Sequence, residues 1–315
     1  MKIVLLESLG ISGELLEECA KPFVDAGHTF DAYEKNTDPA VQIQRAKDAD
    51  VIVIANMPLS GEVIRSCKNL KYIDVAFTGV DHVDLAAAQE KGVAVSNAAG
   101  YSTQAVAELT IALMLSLLRN IPQVDARCRE GKTKDGLVGS ELSSKTVGIV
   151  GTGAIGLRTA KLLRAFGCKV LAYAPREKEA AKGLVEYVPL ETLLRESDIV
   201  SLHCPLNDSS KNLMNAERIA WMKSTALLIN VARGPVVDSA ALAHALNEGR
   251  LAGAGIDVFE AEPPLDKNHP LLHAKNTIVT PHVAFASVQS MEARAHIVFD
   301  NIRAWMDGSQ KNIIL

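Results

Sequence analysis

Short apolar runs rich in β-branched residues alternate along almost the whole chain with stretches whose apolar positions recur every three or four residues. Runs of the first kind read as strands and stretches of the second as helices. Before residue 100, Lys2–Leu6, Thr29–Tyr33, Val51–Ile54, Tyr72–Val75 and Val93–Ser96 are predicted as strands separated by helix-length segments. A second series begins near residue 146, with strands predicted at Val147–Val150, Lys169–Tyr173, Ile199–His203, Ala226–Val231, Ala254–Val258 and Thr277–Thr280. Such alternation predicts an α/β protein with helix-covered parallel sheets. An apolar helix over 101–120 joins the two series. Beyond His282, the positions Met291, Ala295, Val298, Ile302 and Trp305 follow helical spacing and predict a last helix that crosses back to the first unit.

Length supports this division, because 315 residues exceed the usual size of a single core. Hydrophobic content of 48% and charged content of 22% place the chain among folded globular proteins rather than disordered ones. A net charge of −4, without a basic stripe interleaved with aromatics, argues against nucleic-acid binding. Cys19, Cys67, Cys128, Cys168 and Cys204 show no CxxC or Cys/His ligand spacing, so they read as reduced thiols and no metal site is predicted. The apolar start, Met1 to Leu6, is too short for a signal-peptide core. The longest membrane-like stretch, Ile111 to Leu118, falls well short of the roughly 18 residues a spanning helix needs. A cytoplasmic protein without a membrane partner is expected.

The chemistry starts at Val147-Gly-Ile-Val-Gly-Thr-Gly-Ala-Ile-Gly156, a glycine-rich turn between a predicted strand and a predicted helix. Gly151 permits the sharp turn, Gly153 lets a pyrophosphate approach the backbone, and Gly156 lets the helix pack closely on the strand. The helix start, from Ala154 and Ile155, offers unpaired N–H groups and a positive dipole end to the phosphates. Farther on, Arg233 stands at the carboxyl end of a predicted strand, where open α/β sheets bind ligands. A guanidinium there can grip a carboxylate through two parallel hydrogen bonds, although a surface salt bridge fits the segment equally well. Glu262 in a proline-rich loop and His282 in an apolar stretch are, one by one, unremarked carboxylate and structural imidazole. Paired, they make a general acid suited to protonating a carbonyl oxygen.

Taken together these residues resemble the D-isomer-specific 2-hydroxyacid dehydrogenases. The resemblance runs nearly end to end, through Phe77-Thr-Gly-Val-Asp-His-Val-Asp84, Tyr101-Ser-Thr-Gln-Ala-Val-Ala-Glu108, Gly-Thr-Gly-Ala-Ile-Gly at 151–156, His203-Cys-Pro-Leu206, Asn230-Val-Ala-Arg-Gly234, Gly255-Ile-Asp-Val-Phe259, Glu262-Pro263 and Thr280-Pro-His282. It implies two Rossmann-like doubly wound domains, with an NAD(P)-binding domain over 99–286 inserted into a substrate domain formed by 1–98 and 287–315, and an active site in the cleft between them. It further implies that Arg233 binds and polarises a 2-oxoacid, that His282 exchanges the proton at the substrate oxygen, and that Glu262 holds His282 in its tautomer. Thr78 and Gly79 would offer backbone N–H groups to the substrate carboxylate, with Thr78 also bordering the cofactor. Asp257 would contact the nicotinamide carboxamide, Val231 and Ala232 would border that ring, and Cys204 and Pro205 would pack at the adenosine end.

NAD-specific members carry an acidic residue after the second cofactor strand for the ribose 2′-OH. Here that position is Ala174, with Arg176 two residues on, so NADP is the preferred cofactor and NAD a plausible second. Phe285 and the Tyr101-Ser-Thr103 segment resemble the glycerate dehydrogenase and glyoxylate reductase branch, and the loops at 56–60 and 77–79 hold no cluster of Arg or Lys for a second phosphate. Hydroxypyruvate or glyoxylate is therefore the expected substrate, used by a homodimer whose apolar helix from Ala105 to Leu118 forms the interface. A short D-3-phosphoglycerate dehydrogenase, a D-lactate-type enzyme and a non-enzymatic NAD(P)-sensing corepressor remain as alternatives.

Overall fold

A computed structural model describes residues 1–261 and 264–315 of the chain. It divides into two units, one formed by Met1–Ser102 with Ala286–Leu315 and the other by Thr103–Phe285.

In the first unit the order is β1 (Lys2–Leu5), α1 (Gly13–Asp25), β2 (Thr29–Ala32), α2 (Pro39–Ala46), β3 (Val51–Ile54), α3 (Gly61–Ser66), β4 (Tyr72–Val75), α4 (Leu85–Glu90) and β5 (Ala94–Asn97). The strands are parallel and lie in the order β2-β1-β3-β4-β5, one of the two common doubly wound arrangements. β3 and β4 are buried at every residue, which is why β3 reads as an unbroken apolar run and β4 as one broken only by buried Asp74. Helix starts follow residues that cap them: Ser12, Asp38, Ser60 and Asp84 each accept a backbone N–H with their side chain.

The second unit opens with α5 (Thr103–Leu118) and α6 (Ile121–Arg129), followed by β6 (Thr146–Val150), α7 (Ala154–Ala165), β7 (Lys169–Tyr173), β8 (Glu186–Tyr187), α8 (Leu190–Glu196), β9 (Ile199–Leu202), α9 (Ala216–Trp221), β10 (Leu227–Asn230), α10 (Ser239–Asn247), β11 (Gly253–Ile256) and β12 (Thr277–Val279). Its parallel sheet runs β12-β11-β10-β9-β6-β7-β8. The order reverses between β6 and β9, and in open α/β sheets ligands bind beyond the carboxyl ends of the strands at such a switch point. The chain closes with α11 (Val288–Met306), which returns to the first unit and stacks Trp305 on Tyr72, ring centroids 4.7 Å apart.

One side of α5 packs within its own unit: Val106, Ile111, Leu113, Met114 and Leu117 are buried there, in one core with β6, β7 and β10 residues. By contrast α6 has no buried residue, and Ile121 is 48% exposed. No single helix among the described residues is long and apolar enough to cross a membrane.

Candidate active site

The glycine-rich turn follows β6, and each of its glycines has a distinct reason to be there. Gly151 has φ of 102°, and a Cβ on it would lie 2.7 Å from backbone atoms of His203 and Cys204. A Cβ on Gly156 would stand 2.0 Å from the Gly151 carbonyl oxygen, so only glycine lets α7 approach the turn. Gly153 is the N-cap of α7, makes no side-chain cap, and would meet nothing within 4 Å if it carried a Cβ. A helix start with uncapped amides and open space above it fits an anionic pyrophosphate, so the residues present suit a dinucleotide. Behind them, Ile155 packs on the core of the unit.

Across the switch point, the segment after β9 brings His203, Cys204 and Pro205 beside that turn. Burial pushes the His203 imidazole down to about 3, which leaves it neutral, and its Nε2 lies 2.9 Å from Ser201 Oγ. Burial also pushes the Cys204 thiol up to about 11, so it is an apolar wall and not a nucleophile.

Arg233 leaves β10 through a turn built by Asn230. The Asn230 side chain accepts the Ala232 N–H at 3.1 Å and donates to the Arg233 carbonyl at 3.0 Å. Val231 and Ala232 are buried within this turn, and half-buried Arg233 donates from Nη1 to the Ala232 carbonyl at 2.9 Å. Next to it, Gly234 permits a close approach, since a Cβ there would lie 1.9 Å from the Phe259 carbonyl carbon and 2.5 Å from the Glu260 nitrogen.

His282 follows β12 in the left-handed region, φ 55°, where a residue other than glycine needs support. Asp257, at the end of β11 and 0% exposed, supplies it. Its Oδ1 accepts from Thr280 Oγ1 at 2.6 Å and from the Val283 amide at 2.9 Å, its Oδ2 accepts from the Ala284 amide at 2.9 Å, and its carbonyl accepts the His282 amide at 2.7 Å. Burial raises the Asp257 carboxyl above its ordinary value, against the lowering effect of the Thr280, Val283 and Ala284 bonds. The imidazole of His282 meets the ring edge of Phe285, centroids 5.5 Å apart at 89°.

The strand order thus gathers the candidates of the second unit at one end of one sheet: the glycine turn after β6, Ala174 and Arg176 after β7, Cys204 after β9, Arg233 after β10, Asp257 after β11 and His282 after β12. Arg176 is exposed in the bend that leaves β7. Glu262 lies outside the described residues. Thr78 and Gly79 belong to the first unit, in the loop after β4, where the Asn97 side chain donates to the Thr78 carbonyl at 2.7 Å. Among the described residues no group of three or more His, Cys, Asp or Glu is placed to hold a metal. Asn230, Gly234 and Thr280 escaped the reading of the sequence as functional residues; Asn230 and Gly234 flank Arg233 in a motif and Thr280 precedes His282 by two, which was their one signal.

Residues 111–284 match the model of the D-isomer specific 2-hydroxyacid dehydrogenase, NAD binding domain. The chain is 38% identical over 302 residues to a glyoxylate reductase of Thermofilum pendens, covering 93% of this chain and 88% of that protein. It is 36% identical over 288 residues to a hydroxypyruvate reductase of Blautia hydrogenotrophica, covering 88% of each. Among solved structures, D-lactate dehydrogenase of Aquifex aeolicus complexed with NAD and lactic acid superposes with a TM-score of 0.87 at 30% identity, over 98% of this chain and 96% of that one.

Proposed function

This chain belongs to the D-isomer specific 2-hydroxyacid dehydrogenase family, and on that premise we propose that it reduces a small 2-oxoacid of the hydroxypyruvate or glyoxylate type to the hydroxyacid. The observation that carries this reading is the His282 loop, whose backbone is held by Asp257 at the same sheet end as Arg233. A nicotinamide cofactor, when bound, supplies the hydride in reduction and accepts it in oxidation. Gly151, Gly153, Ala154 and Gly156 hold its pyrophosphate, Cys204 and Pro205 its adenosine end, and Val231, Ala232 and Asp257 border its nicotinamide. Arg233 grips and polarises the oxoacid, and donors already in place cost no reorganisation as charge grows on the oxygen. His282 gives its proton to the carbonyl oxygen during reduction and takes it back during oxidation, with Glu262 fixing the tautomer. Thr78 and Gly79 present amides to the substrate carboxylate, and Phe285 walls the substrate side chain.

NADP is the preferred cofactor in this reading and NAD an alternative, because Ala174 presents no carboxylate to a 2′-phosphate and exposed Arg176 follows it. Substrate choice is read by a panel. We expect kcat/KM for hydroxypyruvate or glyoxylate to exceed that for 3-phosphohydroxypyruvate at least about tenfold, which is about 1.4 kcal/mol in transition-state binding. The opposite ranking would assign the site to a phosphorylated oxoacid.

The working unit is a homodimer in the cytoplasm. The uncovered α6, with Ile121 48% exposed, and the half-buried positions of α5 are the surface a second copy would cover. Light scattering at micromolar concentration is expected to give twice the 33.7 kDa of one chain. A mass of one chain would contradict the dimer.

A further inference from the structure

Tyr187 occupies β8, the outermost strand of the seven-stranded sheet, opposite Ala172 of β7. Its side chain reaches past the end of β7. The hydroxyl donates to Thr152 Oγ1 at 2.9 Å and accepts the Lys178 amide at 3.2 Å. Thr152 is the residue between Gly151 and Gly153 in the turn after β6, and it is 2% exposed. Lys178 lies in the exposed stretch that follows β7 and contains Arg176. Neighbouring strands lie about 4.8 Å apart, so a link from the third strand to the turn of the first spans close to 10 Å, within reach of a long rigid phenol and of few other side chains. Among the described residues no other hydrogen bond or ion pair ties residues 174–178 to the sheet. One phenol oxygen therefore joins the glycine-rich turn after β6 to the segment that follows β7.

We propose that Tyr187 is a positioning residue for cofactor selection, locking the 174–178 segment against the glycine-rich turn so that Arg176 is held where it distinguishes a ribose 2′-phosphate from a 2′-hydroxyl. This rests on the reading that Arg176 meets that phosphate. Without the phenol oxygen the ring still packs, but the segment must be ordered by each binding event, and that cost falls on the ligand group the segment contacts. A 2′-phosphate loses a charge-assisted contact, while a 2′-hydroxyl loses little.

The test compares dissociation constants of NADPH and NADH, by fluorescence titration, for the parent, Tyr187→Phe and Arg176→Ala. Tyr187→Phe should weaken NADPH at least about fivefold, the loss of roughly one net hydrogen bond, and NADH less than about twofold, with kcat at saturating cofactor held. Arg176→Ala should weaken NADPH at least about tenfold and leave NADH nearly constant. An unchanged NADPH-to-NADH ratio in Tyr187→Phe overturns the proposal, whatever Arg176→Ala does, and so does an equal loss for both cofactors, which marks a merely structural role. If Arg176→Ala affects both cofactors alike, the reading of Arg176 falls and the proposal that Tyr187 acts by holding it falls with it; a shifted ratio in Arg176→Ala with none in Tyr187→Phe overturns the Tyr187 proposal alone.

Discussion

Replacing His282 by glutamine is expected to lower kcat for oxoacid reduction by at least about two orders of magnitude, the usual scale of general acid–base help, and to leave the cofactor dissociation constant within about twofold. Glutamine is close to histidine in size and keeps a polar end, so the loop can retain its shape while losing the one group that can deliver a proton. That shape is set by backbone and by Asp257, not by the imidazole: the amides of Val283 and Ala284 and the hydroxyl of Thr280 bond the Asp257 carboxylate, and the His282 amide bonds its carbonyl. The substitution therefore separates chemistry from folding. Normal turnover in the variant, measured at 340 nm, would remove His282 from the proton step.

Gly234→Ala should have an effect of similar size with a different origin. Its new methyl would lie 1.9 Å from the Phe259 carbonyl carbon and 2.0 Å from the oxygen, and those neighbours are backbone, which cannot rotate away. The segment carrying Arg233, or the one after β11, has to move. Overpacking of this kind costs typically about 1–3 kcal/mol, so the thermal midpoint should fall by several degrees. A displacement of about 1 Å at a substrate-gripping residue can cost about a hundredfold, so kcat/KM for the oxoacid should drop on that order, well beyond any change in cofactor affinity. A variant with the parent's midpoint and kinetics would contradict this close approach of the two segments.

The strands were legible because parallel strands buried on both faces are predominantly apolar runs, as Val51–Ile54 and Ile199–Leu202 are. β8 was not, since Glu186 and Tyr187 are two residues and two residues carry no periodicity. The apolar character of α5 was visible, but whether its own unit or a second copy covered it was not, because burial depends on what packs against a helix. In the site, the glycine turn and the strand-end positions of Arg233 and His282 could be read from local context. What holds them could not. Asp257 reaches Thr280, Val283 and Ala284 across 23 to 27 residues, and the close approach of Gly234 to Phe259 joins segments that only the fold makes neighbours. The positive φ of His282 is equally invisible in sequence, since nothing in the residue type asks for it.

The most direct test of the central claim is the reaction itself. Purified chain is incubated with hydroxypyruvate and either NADPH or NADH, with absorbance followed at 340 nm and the product resolved on a chiral column. The account predicts that cofactor oxidation and glycerate formation proceed one to one and that the glycerate is the D-isomer. Formation of the L-isomer, or tight cofactor binding with no oxidation by any member of the oxoacid panel, would contradict it, and the second result would make the chain a cofactor-sensing protein rather than an enzyme.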